Sequence, residues 1–508
     1  MKFKSIFIIA LVAIAGTGCK KSWLDINTNP NVLPTATPNF VFTNAVNTAT
    51  SSLLNANETG SYWSGQWTQS NGYIISTTLF AYNFTNGDFN YWDGMYDNLN
   101  DFQYVIENAE ASNQSFLKGP AKVMKAMLFQ YLVDMYGNVP YSDALKGVGS
   151  LAPKFDDQKV IYDNLIVLLD EAITDLKANA FTGATTSSDI VFKGNTSNWV
   201  KLANSLKLRI LIHQSRVAGK ETFITTEINK IVAEGSGFIS GNDAGVGGNT
   251  FYLATAGKLN PIYDRWGYDA NGAKRALNNF PRLTEYFVNT LKTTTDTLRL
   301  KRIGYANGGE SSAIAGVSSK PEIAANYTGV PFGNSSGYLP SAASSLGPSL
   351  LIKGQYSRPF ILFLGAESQF LLAEAKQRFP AVTLPGTAQS YFEAGIKESF
   401  RTLGADVTKA SELYTSGKVN ADWSASTNKL AAIATQKWIA LANFEGLEAW
   451  TEYRRTNLPV TPQSIQVVDT KRPVRFYYPN TESGSNEANV SAQGTIDVFA
   501  TKLFWDVD

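Results

Sequence analysis

The chain has 508 residues, of which 44 are Lys or Arg and 43 are Asp or Glu, with one His and one Cys. This near-neutral balance excludes nucleic acid and an anionic membrane surface as main partners, because both are bound through clustered Lys and Arg. The single cysteine excludes a disulfide within the chain, so a packed core has to hold the fold together.

The N-terminal segment has the pattern of an export signal that ends at a cysteine. Lys2 and Lys4 precede an apolar run over residues 6–15, and small residues lead from there to Cys19. This pattern is typical of a secretory signal peptide, and the apolar run is too short to span a bilayer. We predict a lipoprotein signal peptide over residues 1–18 and a lipid on Cys19. An ordinary signal peptide with an incidental cysteine is the alternative.

Residues 19–38 are polar and interrupted by prolines, which is typical of an extended segment rather than a packed element. We interpret them as a lipid-anchored tether. Helical segments interleaved with long loops follow, and the last of these helices need the first ones as packing partners. We therefore predict a single domain over residues 39–508.

Much of that domain shows the spacing of amphipathic helices, which come at roughly tetratricopeptide intervals. Gly137 and Pro140 are typical of the end of a helix over residues 124–135. Ser197 or Asn198 is the expected N-cap of a helix over residues 199–210. Residues 235–359 are rich in Gly and Ser and indicate loops with one helix. Helices are predicted at or within residues 40–54, 124–135, 161–176, 199–210, 282–291, 360–379, 389–403 and 429–453.

The sequence offers little for catalysis or for metal binding. The only histidine, His213, lies inside a predicted helix, where we expect a structural role. Residues 333–337 match G-x-S-x-G but lack the strand and helix of a nucleophile elbow, and residues 88–99 fail as a calcium loop. We predict no catalytic residue, no metal site and no cofactor.

Aromatic residues make up 12 per cent of the chain, and many of them crowd between residues 62 and 96 among amides. A sugar presents apolar C–H faces and a ring of hydroxyls, so aromatic faces flanked by amides suit it. At least half of these rings are expected to pack the loops onto the scaffold, and Trp92 and Tyr96 indicate the buried face of a helix. The predicted ligand contacts in this stretch are Trp63, Trp67, Asn71, Tyr73 and Asn83.

A second candidate is the segment 263–268 in the loop-rich half. Arg265 offers donors for a sugar hydroxyl or carboxylate. Trp266, which lies in a loop rather than on a helical stripe, is expected to be exposed and to touch ligand.

Four segments then resemble one family. Residues 134–143, DMYGNVPYSD, are similar to the "YG.VPY" turn of the SusD/RagB outer-membrane lipoproteins, and residues 199–209 resemble the helix after that turn. Residues 370–375, FLLAEA, match the family's "LLAEA" helix. Residues 437–455 resemble its C-terminal helix, and together the four segments cover nearly the whole chain.

This resemblance implies a mainly α fold, with a tetratricopeptide-like helical scaffold and a large loop-rich ligand-binding region. It also implies a non-catalytic, lipid-anchored protein on the cell surface of the outer membrane. Such a protein captures oligosaccharide or polysaccharide and delivers it to a SusC-like TonB-dependent transporter. Two alternatives stay open, a peptide-capturing RagB-like lipoprotein and a structural lid subunit with little ligand affinity of its own.

One acidic residue in the last of these segments shares an apolar helical stripe. Glu445 is spaced with Trp438 and Ala449, and a buried carboxylate has to be paired or neutral. We predict a structural ion pair with Arg454 or Arg455.

Overall fold

The computed structural model describes residues 36–247, 251–312, 316–467 and 471–507. The predicted signal peptide, Cys19 and nearly all of the predicted tether lie outside these residues. Within them, no helix is long and apolar enough to cross a membrane.

Helices dominate the described residues, which confirms the predicted mainly α fold. The α-helices are α1 Pro38–Trp63, α2 Thr77–Phe80, α3 Trp92–Asn108, α4 Lys118–Tyr136, α5 Gln158–Ala178, α6 Thr196–His213, α7 Glu221–Glu234, α8 Glu285–Thr293, α9 Thr297–Ile303, α10 Gly365–Arg378, α11 Ala388–Leu403, α12 Ala410–Tyr414, α13 Lys429–Leu441, α14 Gly446–Thr456, α15 Asn480–Ser485 and α16 Glu487–Ser491. The strands are β1 Trp67–Gln69, β2 Val139–Pro140, β3 Phe155–Asp156, β4 Ala244–Val246, β5 Pro281–Leu283 and β6 Phe360–Phe363.

The long helices pack in chain order, α1 on α3, α3 on α4, α4 on α5 and α5 on α6. The last long helix but one in chain order is α13, and α14, which follows it, returns to pack on α1. Gly60 of α1 and Gly446 of α14 allow this approach, because a Cβ on Gly446 would lie 2.1 Å from the Asn57 carbonyl oxygen. The last helices therefore complete the core that the first helices begin.

The helix boundaries differ from the sequence prediction where a distant segment competes for the backbone. Residues 281–283 pair as β5 with β1, so the predicted helix 282–291 starts only at Glu285, capped by Thr284. Likewise β6 pairs with β4 and delays α10 to Gly365. The N-cap of α6 is Asn195 rather than Ser197 or Asn198.

The predicted helix 429–453 is two helices. The chain breaks at Asn443, which has φ +75° and is 4 per cent exposed. The side-chain amide nitrogen of Asn443, Nδ2, donates to Ile303 O at 2.9 Å and to Ser349 Oγ at 3.1 Å. These bonds tie the break between α13 and α14 to the loop-rich half of the molecule.

Candidate ligand-binding site

The three tryptophans that the sequence offered as ligand contacts are each only 2 per cent exposed. Trp63, at the end of α1, lies between aromatic rings, with Trp450 at 5.0 Å and Phe476 at 5.1 Å between centroids. Its indole N–H donates to Leu79 O at 3.1 Å. Because protein rings cover this indole, it presents no face to solvent.

Trp67 and Trp266 form an edge-to-face pair with centroids 5.3 Å apart. The expectation that Trp266 is exposed is wrong, because residues Tyr263–Gly267 form a π-helical turn that places this ring inside. The Trp67 indole N–H donates to Asn443 Oδ1 at 3.0 Å. This pair therefore connects Asn443, at the break between α13 and α14, to the 263–267 turn.

Arg265 is partly exposed, but its guanidinium is already engaged. It forms an ion pair with Glu58 of α1 at 2.5 Å and lies over the Trp266 ring, 5.4 Å from its centroid. Burial raises the pKa of Glu58, and the Arg265 charge opposes that rise. The contact thus fixes the 263–267 turn to α1, and only the remaining surface of Arg265 is open to a ligand.

Three loops meet above the tryptophan pair, and we call residues 70–76, 276–280 and 334–340 the loop platform. Asn71 joins the first loop to the third: its amide nitrogen donates to Asn334 O at 3.0 Å, and its backbone N–H donates to Tyr338 O at 2.9 Å. Its side-chain oxygen accepts from the Tyr338 N–H. Asn71 is therefore half-buried and serves the framework of the platform as well as its surface.

Tyr73 joins the first loop to the second. Its hydroxyl donates to Ala276 O at 2.6 Å, and its ring packs edge-on against Phe280 with centroids 5.1 Å apart. Gln69 at the end of β1 holds the same loop, donating to Ile74 O at 3.0 Å and accepting from Ser76 N at 3.0 Å. The Tyr73 ring is thus fixed in orientation and half-exposed.

Arg282, in β5, is a buried cation beneath the platform, and its guanidinium donates to backbone carbonyl oxygens. The guanidinium donates to Pro281 O at 2.7 Å, Pro340 O at 3.1 Å and Asn278 O at 3.4 Å. Burial lowers the pKa of Arg282 to about 10, so it stays protonated at neutral pH. It links the second and third loops from below.

The surface of the platform combines apolar and neutral polar groups. Ile74 is 94 per cent exposed, Leu339 is 59 per cent exposed, and Tyr338 is half-buried. Asn279, Ser335 and Ser336 are exposed around them. The three loops contain no Asp, Glu, Lys, Arg or His. An uncharged ligand with both apolar faces and hydroxyl or amide groups matches this surface.

The structure brings five of the seven sequence-predicted residues around this platform: Asn71 and Tyr73 in it, and Trp67, Arg265 and Trp266 under or beside it. Asn83 is exposed but follows α2, where its N–H donates to Thr77 O at 3.2 Å. Tyr338 and Leu339 were missed, because their loop offers no periodic signal. The glycine and serine run at 333–337, dismissed as a nucleophile motif, marks that loop.

A network of buried charges lies deeper, among α6, α10 and α14. Arg209 contacts both oxygens of Glu367 and lies 2.6 Å from Glu445 Oε2. The predicted pairing of Glu445 with Arg454 or Arg455 is therefore wrong. Arg455 is instead bound to Glu374 and Glu452, each at 2.7 Å.

His213 is part of the same network. Its Nε2 lies 3.0 Å from Glu448 Oε1, and its Nδ1 lies 3.1 Å from the Tyr162 hydroxyl, which donates to Asp134. Asp134, His213 and Glu448 are close enough to share a metal ion. Both ring nitrogens of His213 already face protein partners, however, which fits a structural role.

The comparisons with known proteins agree with this architecture. A family profile, SusD-like, described as "Starch-binding associating with outer membrane", matches residues 30–479. A SusD homologue from Bacteroides uniformis ATCC 8492 is 23 per cent identical, with a TM-score of 0.73 over 92 per cent of this chain and 100 per cent of its own. A search of curated proteins finds no match.

Two further solved structures are named as chitin-binding. A chitin-binding SusD homologue from Flavobacterium johnsoniae is 23 per cent identical, with a TM-score of 0.70 over 92 per cent of this chain and 97 per cent of its own. Another chitin-binding protein is 24 per cent identical, with a TM-score of 0.70 over 93 per cent of this chain and 100 per cent of its own. At these identities the likeness establishes the fold.

Proposed function

Since this chain belongs to the SusD-like family, whose members are binding proteins and not enzymes, we propose that it captures a neutral glycan on the loop platform. Membership confirms the resemblance that four segments of the sequence indicated. We further propose that the protein is anchored on the outer membrane at the cell surface through a lipid on Cys19. Its partner would be a SusC-like TonB-dependent transporter that takes up the captured oligosaccharide.

The observation that carries the glycan proposal is the composition of the platform. Two half-buried tyrosines, Tyr73 and Tyr338, lie in loops that hold no ionisable side chain besides them. Asn71 bonds the two loops directly, so the rings are held by a fixed framework. A preformed site loses little conformational entropy when a flexible oligosaccharide binds.

The sequence-predicted contacts divide into two groups on this proposal. Asn71, Tyr73 and the open part of Arg265 touch the ligand or border it, and Asn83 lies at the margin. Trp63, Trp67 and Trp266 are buried among protein side chains and present no face to a ligand. Substituting a buried tryptophan would therefore reduce binding only through the stability of the loops.

Chitin oligosaccharides are the first ligand to test, because two relatives of the same fold are named as chitin-binding. The methyl of an N-acetyl group suits the exposed Ile74 and Leu339 side chains, and its amide suits Asn279. α-Glucan and mannan oligosaccharides complete the panel, and a mixed-peptide sample tests the alternative ligand class.

The experiment is isothermal titration calorimetry of the purified protein against this panel, with the variants Tyr73→Ala and Tyr338→Ala. Loss of a stacking ring from a sugar site costs about 1–2 kcal/mol, which is a loss of affinity of about fivefold to thirtyfold. Tyr414→Ala is the matched control, because Tyr414 is a half-buried tyrosine on α12. We expect it to bind as the wild type does.

Other outcomes select the alternatives. Peptide binding with no glycan binding would favour the peptide-capturing function. No detectable binding of any ligand in the panel would favour a lid subunit. Glycan binding that both tyrosine variants leave unchanged would reject the platform as the site.

A further inference from the structure

A concavity lies outside the loop platform, and none of its lining residues belongs to the platform loops. It has a volume of about 480 Å³, within the range of small-molecule sites. The β4 and β6 strands and the end of α11 border it. Its apolar walls include Ile262, Leu350, Ile361 and Phe444.

One cation of this cavity is already neutralised. Arg401 donates to Asp243 at 2.8 Å and to Glu398 at 2.7 Å. Asp243 also accepts from Thr402 Oγ1 at 2.9 Å and from Gly365 N at 2.9 Å. These contacts fix one wall of the cavity and leave Asp243 with little capacity for a ligand.

Arg358 differs, because all the acceptors it contacts are neutral. Its guanidinium donates to Pro348 O at 2.8 Å, to Gln355 Oε1 at 3.1 Å and to Ser349 O. Among the described residues, no carboxylate forms an ion pair with it. Burial lowers the pKa of Arg358 to about 10, and the nearby Arg302 charge adds to this, but the group stays protonated at pH 7.

Lys193 lies exposed at the rim of the same cavity. Within the part of the chain that the structure describes, it has no carboxylate partner either. A partly buried cation without a counter-charge is costly unless something else neutralises it. The cavity therefore holds an unbalanced positive charge that an anionic group would neutralise.

We propose that this cavity, the arginine cavity, binds the carboxylate of an acidic sugar, with Arg358 and Lys193 as its partners. Arg358 supplies a planar guanidinium for the carboxylate, and the apolar walls border the sugar ring. Its volume suits one or two sugar rings. The choice of a sugar as carrier of the carboxylate rests on the proposed function, whereas the carboxylate itself is argued from the cavity.

The test is calorimetric titration of the purified full chain with sodium D-glucuronate and D-galacturonate, with D-glucose as the neutral counterpart. We expect saturable binding of a uronate, at least tenfold tighter than glucose. Arg358→Gln and Lys193→Gln should each weaken it at least fivefold. Lys193 is exposed, so that variant tests the site without disturbing the fold.

Lys159→Gln is the matched control. Lys159, on α5, is likewise an exposed lysine without a carboxylate partner among the described residues, and it does not line the cavity. We expect Lys159→Gln and Tyr73→Ala to bind uronate normally. Absence of uronate binding, or binding that Lys193→Gln leaves unchanged, would overturn the proposal. Failure of the neutral-glycan panel with retained uronate binding would reject only the platform function.

Discussion

Asn443 is the residue through which the scaffold holds the base of the binding site, and its replacement by Ala makes the sharpest test of that role. The substitution removes the acceptor of the Trp67 indole N–H and both donors to Ile303 O and Ser349 Oγ. It also places an Ala at φ +75°, a region that L-residues other than Asn and Gly rarely adopt.

The magnitude follows from these contributions. An unsatisfied buried indole N–H costs about 1–3 kcal/mol, each of the two lost hydrogen bonds about 0.5–1.5 kcal/mol, and the left-handed backbone about 1–2 kcal/mol. We expect Asn443→Ala to lower the free energy of unfolding by about 3–8 kcal/mol. Asn443→Gly should recover about 1 kcal/mol of that, because Gly adopts this φ without steric cost.

The assay is urea unfolding followed by tryptophan fluorescence, with both variants compared at the same protein concentration. A loss below about 1 kcal/mol for Asn443→Ala would refute the argument that these contacts hold the two halves together, since each buried bond is worth about that much. Equal stability of the Ala and Gly variants would refute the claim that the positive φ at position 443 destabilises the Ala variant.

Three further predictions concern the scaffold. Arg209→Met should lower the free energy of unfolding by about 3–5 kcal/mol, because it leaves buried carboxylates without their cation. Glu445→Gln should cost less than about 1 kcal/mol, because burial and the Glu367 charge raise the pKa of Glu445 and so disfavour its charged form, which the neutral amide removes; urea unfolding of the two variants checks both. Gly446→Ala should lower the melting temperature in calorimetry, since its Cβ would meet α1 backbone, while Gly484→Ala, with nothing within 4 Å, should not. Burial acts to raise the pKa of Glu234, but a lysine ammonium and several hydrogen-bond donors outweigh it and lower the pKa to about 2. The stability this group contributes is therefore present above about pH 4.5 and lost as the pH falls towards 2, so acid unfolding curves of Glu234→Gln should be less steep in that window than those of the wild type.

The helices were predictable because their signal is local. Each long helix buries one face, so apolar spacing alone located α4, α5 and α6. The strands β1 and β5 were not predictable, because Trp67 of β1 pairs with Leu283 of β5, far along the chain. Pairing partners at such separation leave no periodic signal in either segment.

The same limit applied to the site and to the buried charges. Trp266 is buried because Trp67 packs against it, and nothing near Trp266 in sequence indicates that contact. Glu445 was assigned to two cations close to it in sequence, Arg454 and Arg455, whereas Arg209, 236 residues away, is its partner. The composition of the loops did locate the general region of the candidate site, including Asn71 and Tyr73.

The predictions for the N-terminal segment stay predictions, since Cys19 and the signal peptide lie outside the described residues. The single domain over residues 39–508 and the transporter partner are likewise proposals. Mass spectrometry of the mature protein from its own cell envelope would show a diacylglyceryl group on Cys19 if the lipoprotein prediction holds. An unmodified N-terminus would contradict it.

The most direct test of the central claim is a crystal structure of the protein with the neutral oligosaccharide that binds most tightly in the titration panel. We predict a sugar ring in van der Waals contact with Tyr73 or Tyr338. Its hydroxyl or amide groups should form hydrogen bonds with platform residues such as Asn71 or Asn279. A sugar bound elsewhere, with the platform loops empty, would contradict it.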